Sequence, residues 1–400
     1  MGTTTAFIDD VTRVAVVGTG FIARQSSGVL QLPGQPFSIS SVLTRREPSA
    51  IDFVDSSVVT NSIAEAIDRC DVVFETSGDA RHAALVVQAA VEAGKPVVTM
   101  NSEFHVTVGS AFVGKGYVTE AEGDQPGCLA LLKRDAEAMG FNIHALVNIK
   151  GFLNNNPPIE DMEYWSKLQE LALDQTTQFT DGTKVHIEQV LVANGLGAEL
   201  VRDGLDPRPV DRIEDSDYLG EIGMGRGVPV SDFVVCGNAP PGVFILADHP
   251  VADQLPGYGP YAKLKSSSGK FFVLTRPYHL CALEVSKSIR DAAAGLPVLL
   301  DNSPSPRYGV AAVAKRPLVK GTEIPRAVGS FEFRGIGVSI DNNPNHVPIC
   351  LLDEARLINE ARLINEVEEG QIITFDDVEL PDSYALSLYN GILEDRGVAG

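Results

Sequence analysis

The sequence has few cysteines, few basic residues and no long apolar run. Its five cysteines are scattered and odd in number, and none forms a C-x-x-C pair, so no disulfide framework is indicated. We expect a reduced, cytoplasmic setting. Lys plus Arg number 32 against 53 Asp plus Glu, a net charge of −21 that repels phosphate backbones and anionic lipid. This excess of negative charge argues against nucleic acid and membrane as partners.

Other classes of protein are disfavoured by what is missing. The first ten residues lack the basic start and apolar core of a signal peptide, and no apolar run reaches the roughly 18 residues of a membrane span. No His and Cys cluster has the spacing of zinc ligands, whereas Mg²⁺ held by scattered carboxylates stays open. The 400 residues, 44% of them hydrophobic, suffice for two or three globular domains.

The first 100 residues alternate apolar strands with helical segments. Strands are predicted at 13–17, 38–44, 72–74 and 96–100, and an alanine-rich helix that ends at Gly94 lies between the last two. Strands that alternate with helices in this way are typical of a parallel α/β sheet.

A glycine-rich turn follows the first strand. In Gly18-Thr-Gly20-Phe21-Ile22-Ala23, Gly18 would make the tight turn and Gly20 would let a pyrophosphate approach the backbone. Ala23 would let helix and strand pack closely, and the helix N-terminus would face the phosphates. The motif therefore predicts a dinucleotide site in a Rossmann domain. The alternative is an ordinary turn between strand and helix.

The end of the second strand bears on the choice of dinucleotide. An NAD site usually has a carboxylate there to bind the ribose 2′-hydroxyl, but this chain has Thr44, Arg45 and Arg46, with no carboxylate before Glu47. Arginine binds phosphate through a bidentate fork, so NADP is favoured over NAD. The alternative is that the two arginines end a solvated loop.

Polar residues also follow the next two strands. Ser77 and Gly78 come after one, and Asn101 and Glu103 come after the other. The carboxyl ends of the strands are where open α/β sheets bind ligands, so these residues are candidates for the cofactor and substrate edge. Asn101 and Glu103 could equally be helix caps.

Two lysines are candidates for proton transfer. Lys150 ends an alternating strand at 142–150, and Lys184 lies three residues after Asp181, so that the latter two would share a helical face. Hydride transfer at a carbon–oxygen bond needs a proton donor or acceptor for the oxygen. Two nearby lysines would depress each other's pKa. The alternative for Asp181 and Lys184 is a cap plus a surface ion pair.

Further downstream, the apolar run at 271–289 contains Arg276 and His279. His279 could act as a general acid near neutral pH. A lone histidine beside apolar residues is more often a satisfied core residue.

Several stretches together resemble one family. They are VEAGKPVVTMNSEFHVTVG at 91–109, GDQPG at 123–127, DGTK at 181–184, RPYHL at 276–280, and the segments 311–324 and 370–383. With them the chain resembles the homoserine-dehydrogenase-like oxidoreductases that carry a C-terminal SAF domain, the 1-deoxy-D-xylulose 5-phosphate reductoisomerase-like or DRL family. The departures lie in residues 110–122 and around Lys150, beside the expected substrate pocket.

The resemblance implies three domains. A Rossmann domain would span 1–145, with a helix at 283–295 packing back on it, a central α/β catalytic domain would span 146–300, and a β-rich SAF-like domain would span 301–400. The expected catalytic residues are Lys184, Lys150, Asp181 and His279. Glu103, Asn154 and Arg276 are expected to bind substrate.

The function expected from all this is an NAD(P)-dependent oxidoreductase. It would transfer hydride between the nicotinamide and a small polar carbonyl or alcohol, phosphorylated or carboxylated, with a homo-oligomer as the expected assembly. One alternative is a reductoisomerase with a metal-assisted carbon shift. Another is a catalytically silent dinucleotide-binding regulatory protein. A tandem EARLIN repeat at 354–365 predicts a local duplication in a helix or loop.

Overall fold

The computed structural model describes residues 11–251, 254, 264–352, 361–363 and 367–397, with the backbone alone at 361–363. The EARLIN repeat lies outside the described residues except for that three-residue strand. None of the described helices combines the length and the apolar content needed to cross a bilayer.

The N-terminal part forms a parallel sheet, as predicted. Its strands are β1 Thr12–Val17, β2 Phe37–Leu43, β3 Val59–Thr60, β4 Val72–Glu75, β5 Val97–Thr99 and β6 Val118–Glu120. Their spatial order is β3-β2-β1-β4-β5-β6, and every neighbouring pair is parallel. This is the Rossmann strand order, in which the order reverses beside β1 and opens a crevice at the carboxyl ends of the strands. The predicted Rossmann fold class is confirmed.

Helices cover both faces of this sheet. They include α1 Phe21–Leu30, α2 Ile63–Asp68 and α3 Ala80–Glu92. Helix α4 Ser102–Val108 follows β5, and α5 Gln125–Ala138 follows β6 but packs against the central part of the chain. Residues 14–17 of β1 are completely buried, with alternate side chains in separate apolar clusters on the two faces. A strand buried on both faces has no polar alternation, which is why the apolar run at 13–17 identified it.

The central part forms a second, mixed sheet. Its strands are β7 Asn142–Lys150, β8 Glu199–Leu200, β9 Arg208–Pro209, β10 Val230–Val235, β11 Val243–Asp248 and β12 Phe272–Arg276. The order is β12-β11-β7-β10-β8, with β9 also paired to β10. The helices are α6 Ile159–Gln169, α7 Leu173–Thr180, α8 Thr183–Leu196, α9 Asp217–Arg226 and α10 Cys281–Ala293. Helix α8 is buried along most of its length, between the two sheets and the C-terminal part.

Helix α10 returns to the first sheet. Its Val285, Ile289 and Ala292 belong to the apolar cluster that contains Val14 of β1 and Ala23 of α1. The helix expected at 283–295 therefore packs where the family resemblance placed it.

The C-terminal part consists of short strands and two helices. They are β13 Tyr308–Ala314, β14 Glu323–Ile324, β15 Phe333–Ser339, β16 Ala361–Leu363 and β17 Val378–Glu379, with α11 Ile349–Leu352 and α12 Tyr384–Asp395. Strand β15 pairs antiparallel with β13 and lies along α8. Gly335 and Gly337 allow this approach, because a Cβ on either would come within 2.9 to 3.1 Å of side chains of β13 and α8.

The described residues of the C-terminal part share their core with the rest of the molecule. One continuous apolar cluster joins them to α8 and to the helix-covered face of the first sheet. The backbone N–H groups of Gly335 and Gly337 donate to Thr183 Oγ1 at 2.9 Å and to His186 Nδ1 at 3.1 Å. The described residues of the C-terminal part thus pack along α8, the helix that carries Lys184. Their likeness to a SAF domain stays a prediction.

Candidate active site

The glycine turn leaves an open helix N-terminus at the carboxyl end of β1. Gly18 has φ +105°, and a Cβ there would lie 2.9 Å from the carbonyl oxygen of Thr76, so only glycine fits. Gly20 is the N-cap of α1, has φ −78° and offers no side-chain cap. A Cβ on Gly20 would meet nothing within 4 Å. The cradle therefore fits a pyrophosphate, which would take the uncapped N–H groups of α1.

The residues next to Gly20 behave as the motif requires. Ala23 is completely buried and packs α1 on the sheet, whereas Phe21 is 44% exposed and Ile22 is half-buried at the mouth of the turn. The first turn of α1 thus presents an apolar surface beside its free N–H groups.

The two arginines lie at the carboxyl end of β2. Thr44 is buried and accepts a hydrogen bond from the Arg46 N–H at 3.1 Å. The Arg45 side chain is 52% exposed and its Nη1 lies 2.7 Å from Asp79 Oδ2, while Arg46 is exposed. Arg45 and Arg46 stand at the end of the second strand, where an NAD site usually has the carboxylate that binds the ribose 2′-hydroxyl. Residues 44–46 include no carboxylate.

The loops after β4 and β5 reach the same edge of the sheet. Gly78 has φ +66°, and the Ser77 N–H donates to Glu75 Oε1 at 2.9 Å. Asn101 is completely buried and caps α4, since its Oδ1 accepts from the Phe104 N–H at 3.0 Å. For Asn101 the structure thus shows the helix-cap role, and its contact with a cofactor stays a prediction.

Lys184 lies where the two domains meet. Its Nζ is 3.3 Å from Glu103 Oε2, 3.3 Å from Ser102 Oγ and 3.7 Å from Asp124 Oδ2. Ser102 Oγ in turn donates to Asp124 Oδ2 at 2.9 Å. Glu103 and Ser102 begin α4 just after β5, and Asp124 is the N-cap of α5 just after β6. The fold therefore brings a lysine of the central domain to the carboxyl edge of the Rossmann sheet.

The charge around Lys184 differs from the expectation. Burial lowers the pKa of Lys184, but the surrounding carboxylates outweigh it and raise the pKa well above its usual range. The carboxylates that contribute most are Glu103, Asp124 and Glu188. The predicted depression of this pKa by a second lysine is therefore wrong, because carboxylates surround the ammonium. The side chain of Lys184 is therefore a protonated ammonium at neutral pH, and its catalytic role stays a prediction.

Lys150 belongs to an adjoining polar network. Its Nζ donates to Gln125 Oε1 at 2.6 Å and to Glu188 Oε2 at 3.0 Å. Asn148 Nδ2 donates to the same Glu188 oxygen at 2.8 Å, and Asn148 Oδ1 accepts from Gln125 Nε2 at 2.6 Å. The Lys150 side chain is 20% exposed against 12% for Lys184, so it is the more accessible of the two cations.

Asp181 lies elsewhere, which corrects the prediction of a shared face with Lys184. Gly182, with φ +87°, separates Asp181 from α8, so the two residues do not lie on one continuous helix. Asp181 Oδ2 instead pairs at 2.6 Å with Lys315 Nζ of the C-terminal part, and both side chains are buried. Asp181 Oδ1 accepts from the Thr183 N–H at 2.8 Å and so caps the start of α8.

Arg276 is engaged by two carboxylates, and its predicted contact with substrate stays a prediction. Its Nη2 pairs with Glu122 at 2.8 Å and with Glu284 of α10. It therefore holds the turn before Asp124 against the start of α10.

His279 is half-buried and is not a core residue. Its Nδ1 is 3.0 Å from the carbonyl oxygen of Pro241, an acceptor, so Nδ1 carries the proton and Nε2 is the free basic atom. Burial alone would raise the pKa of Asp124, but Lys184, Ser102 and His279 together lower it below its usual range. His279 thus lies within electrostatic reach of the Lys184 cluster.

Asn154 lies in the loop after Lys150. Its Oδ1 accepts from the Asn156 N–H at 3.1 Å, and its own N–H donates to the carbonyl oxygen of Thr180 at 2.9 Å. The second of these hydrogen bonds joins the loop to the end of α7. In the ranges that the structure describes, no group of three His, Cys, Asp or Glu side chains is placed to hold a metal ion.

Residues 123–285 match the family model described as "Oxidoreductase DRL, catalytic domain". The matched segment is less than half of the chain but includes Asp124, Lys150, Lys184 and His279. The match bears out the prediction of an oxidoreductase. No curated protein matches this chain.

Solved structures of several dehydrogenases and reductases are similar to this chain. A hyperthermophilic archaeal homoserine dehydrogenase in complex with NADPH is 12% identical over 72% of this chain and 99% of its own, with a TM-score of 0.45. A probable dehydrogenase from Thermotoga maritima is 12% identical over 72% of this chain and 91% of its own, with a TM-score of 0.43. Biliverdin reductase from Synechocystis sp. PCC 6803, in complex with biliverdin and NADP⁺, is 17% identical over 39% of this chain and 58% of its own, with a TM-score of 0.28. The chain thus spans little more than half of that reductase, and nothing about its own substrate follows from these low scores.

Proposed function

We propose that this chain is an NADP(H)-dependent oxidoreductase that acts on the carbonyl or alcohol group of a small polar substrate. The observation that carries the proposal is the Lys184 ammonium, held by Glu103, Ser102 and Asp124 at the carboxyl edge of a Rossmann sheet. That edge also carries the open N-terminus of α1, which supports a bound dinucleotide.

Lys184 would supply the proton for the reaction. A bound nicotinamide would supply or accept the hydride. As hydride reaches the carbonyl carbon, its oxygen needs a proton, and Lys184 Nζ holds one at neutral pH. Glu103 and Asp124 then favour the return of a proton to the amine, because they stabilise the ammonium. The raised pKa keeps Lys184 protonated at neutral pH, which is the state that reduction of a carbonyl requires.

Lys150 and His279 would have supporting roles. Lys150 is the more exposed cation, and the network of Gln125, Asn148 and Glu188 fixes its Nζ, so it suits an anionic group of the substrate such as a phosphate or carboxylate. His279 Nε2 would face the substrate from the other side of Asp124.

The cofactor choice can be tested with the double substitution Arg45→Ala and Arg46→Ala. We expect the affinity for NADPH to fall about 10- to 100-fold, the loss of one charge-assisted hydrogen bond or two, with little change for NADH, which has no 2′-phosphate. Titration by nicotinamide fluorescence measures both affinities. Arg13→Ala is the matched control. Like Arg45, Arg13 is about half exposed (50%) and ion-paired, in its case with Asp71, but it lies at the opposite end of β1 from the cofactor site. Equal losses of NADPH and NADH affinity would contradict the assignment.

The activity itself can be tested by the oxidation of NADPH with a panel of small phosphorylated and carboxylated aldehydes and ketones, with and without Mg²⁺. Turnover that needs no metal is the expected result. Turnover that depends on Mg²⁺ would favour the reductoisomerase alternative. Failure to bind both NADPH and NADH would refute the proposal.

A further inference from the structure

Two buried ionisable side chains behind Lys184 have no hydrogen-bond partner in the described part of the chain. Glu120 ends β6 and His105 lies on α4, and their exposed fractions are 0% and 1%. With Glu120 ionised, neither of its carboxyl oxygens has a hydrogen-bond donor among the described residues, and neither ring nitrogen of His105 has a partner there. Glu120 Oε2 and His105 Nε2 are 3.5 Å apart. Buried polar atoms without partners are rare in native proteins and require an explanation.

An ionised Glu120 would have no cation of its own. The ionisable groups that face it are His105 and Glu103 of α4, Asp124 of α5 and Lys184 of α8. Lys184 is already shared by Glu103 and Asp124. His105 cannot supply a charge, because burial lowers its pKa to about 3. Burial first, and then the charge of Asp124, raise the pKa of Glu120 well above its usual range.

We propose that Glu120 is a neutral carboxylic acid that stores a proton for Lys184. In that state its O–H would donate to the neighbouring Asp124 carboxylate, which after burial does most to raise the pKa of Glu120. Asp124 accepts a second hydrogen bond, from Ser102 Oγ at 2.9 Å, and Ser102 Oγ lies 3.3 Å from Lys184 Nζ. A continuous path of oxygen atoms therefore joins the neutral acid to the proton donor.

The proton movement rests on the proposed oxidoreductase function. When Lys184 has given a proton to the substrate oxygen, the O–H bond of Glu120 breaks and its proton passes to Asp124. Ser102, whose O–H points to Asp124 in the resting state, turns that O–H to the neutral amine; its O–H bond breaks as the N–H bond forms at Lys184, and Ser102 takes the proton from Asp124. Glu120 is left as a carboxylate until it regains a proton from solvent. Glu120 is thus a positioning residue that acts on the substrate through Lys184.

The charge state of Glu120 can be measured without cofactor or substrate. Capillary electrophoresis at neutral pH compares the net charge of the wild type with that of Glu120→Gln and Glu103→Gln. Because Gln is neutral, Glu120→Gln is expected to migrate with the wild type, whereas Glu103→Gln is expected to lose one negative charge. A shift of Glu120→Gln equal to that of Glu103→Gln would overturn the proposal. The outcome leaves the oxidoreductase assignment unaffected.

Infrared spectroscopy gives an independent reading of the same group. The difference spectrum of wild type minus Glu120→Gln at neutral pH is expected to show the C=O band of a protonated carboxyl group. Glu122→Gln is the matched control, since Glu122 is also a buried glutamate but is paired with Arg276 and Lys287. Its difference spectrum is expected to show carboxylate bands only. Carboxylate bands alone in the Glu120→Gln difference would overturn the proposal.

If Glu120 stores a proton for Lys184, its loss should change the time course of any reaction found in the NADPH oxidation assay. Glu120→Gln is expected to complete a first turnover at the wild-type rate, because Lys184 carries its own proton. Later turnovers are expected to be about 10-fold slower or more, because Lys184, the general acid, regains its proton slowly without Glu120. A burst of one equivalent followed by a slower steady state is the expected trace. A steady-state rate equal to that of the wild type, without a burst, would reduce Glu120 to a structural role and contradict the proposal.

Discussion

Replacement of Lys184 by methionine is expected to lower the rate of the chemical step about 100- to 10,000-fold, the usual cost of losing a general acid, while NADPH still binds. Lys184 is the ammonium closest to Ser102, Glu103 and Asp124, and its side chain is only 12% exposed. Methionine keeps most of the length and volume but removes the proton. Single-turnover kinetics at saturating substrate measures the step without product release.

Two further variants make this result decisive. Lys184→Met leaves Glu103 and Asp124 without their cation, and breaking a buried pair costs about 3–5 kcal/mol, so Lys184→Arg tests the same step with the charge retained. We expect Lys184→Arg to fold as the wild type does and to remain slow, because a guanidinium does not release its proton. Lys133→Met, which removes a lysine of α5 that is ion-paired only with Glu137 of the next turn, is the control and should keep the full rate. A nearly full single-turnover rate in Lys184→Met would remove Lys184 from the mechanism and leave His279 as the proton donor.

Replacement of Gly20 by valine is expected to abolish measurable NADPH binding while the fold survives. Gly20 has an extended backbone with φ −78°, and a Cβ there meets no atom of the protein within 4 Å. A branched side chain therefore fits the free protein but fills the space in front of the α1 N–H groups, where a pyrophosphate would lie. Fluorescence titration with NADPH measures the loss, and circular dichroism verifies the fold.

Gly28→Val is the matched control for this substitution. Gly28 lies on the same helix, is exposed, and also has no atom within 4 Å of an added Cβ, but it lies two turns away from the glycine turn. Its variant should bind NADPH like the wild type. Unchanged affinity in Gly20→Val would show that residues 18–23 do not form the cofactor site.

Those parts of the molecule that depend on local sequence could be predicted. The apolar run before Gly18 and the small residues at 20 and 23 are contiguous, and they identify a strand, a turn and a helix without knowledge of the rest of the chain. The carboxyl ends of β4 and β5 were likewise found from apolar strands followed by polar residues. Parallel strands bring those ends to one edge, which is why this edge was expected to carry the site.

The partners of the candidate residues could not be predicted in the same way. Asp181 and Lys184 have helical spacing, yet Gly182 interrupts the helix between them and sends the two side chains to different partners. Lys315, the partner of Asp181, is 134 residues away in sequence, and only its place inside an apolar run could have marked it as buried.

Glu120 and Asp124 were missed because β6 was not predicted. Val118–Glu120 is only three residues long and lacks a long apolar run. Had it been identified as a strand, Glu120 and Asp124 would have followed as polar residues at a carboxyl end, next to Glu103. The acidic surroundings of Lys184, which reverse the expected shift of its pKa, therefore depend on a short strand and on contacts between distant segments.

The proposed mechanism requires that a dinucleotide binds along the carboxyl edge of the first sheet, with its reactive ring beside Lys184. A crystal structure of the chain with bound NADP⁺ tests this most directly. We expect the pyrophosphate to bind at the N-terminus of α1 beside Gly20, and the 2′-phosphate to bind Arg45 and Arg46. We expect the nicotinamide to lie at the edge of the sheet where Lys184 contacts Glu103 and Asp124. A pyrophosphate bound elsewhere, or a nicotinamide with Lys184 out of reach of its substrate face, would contradict it.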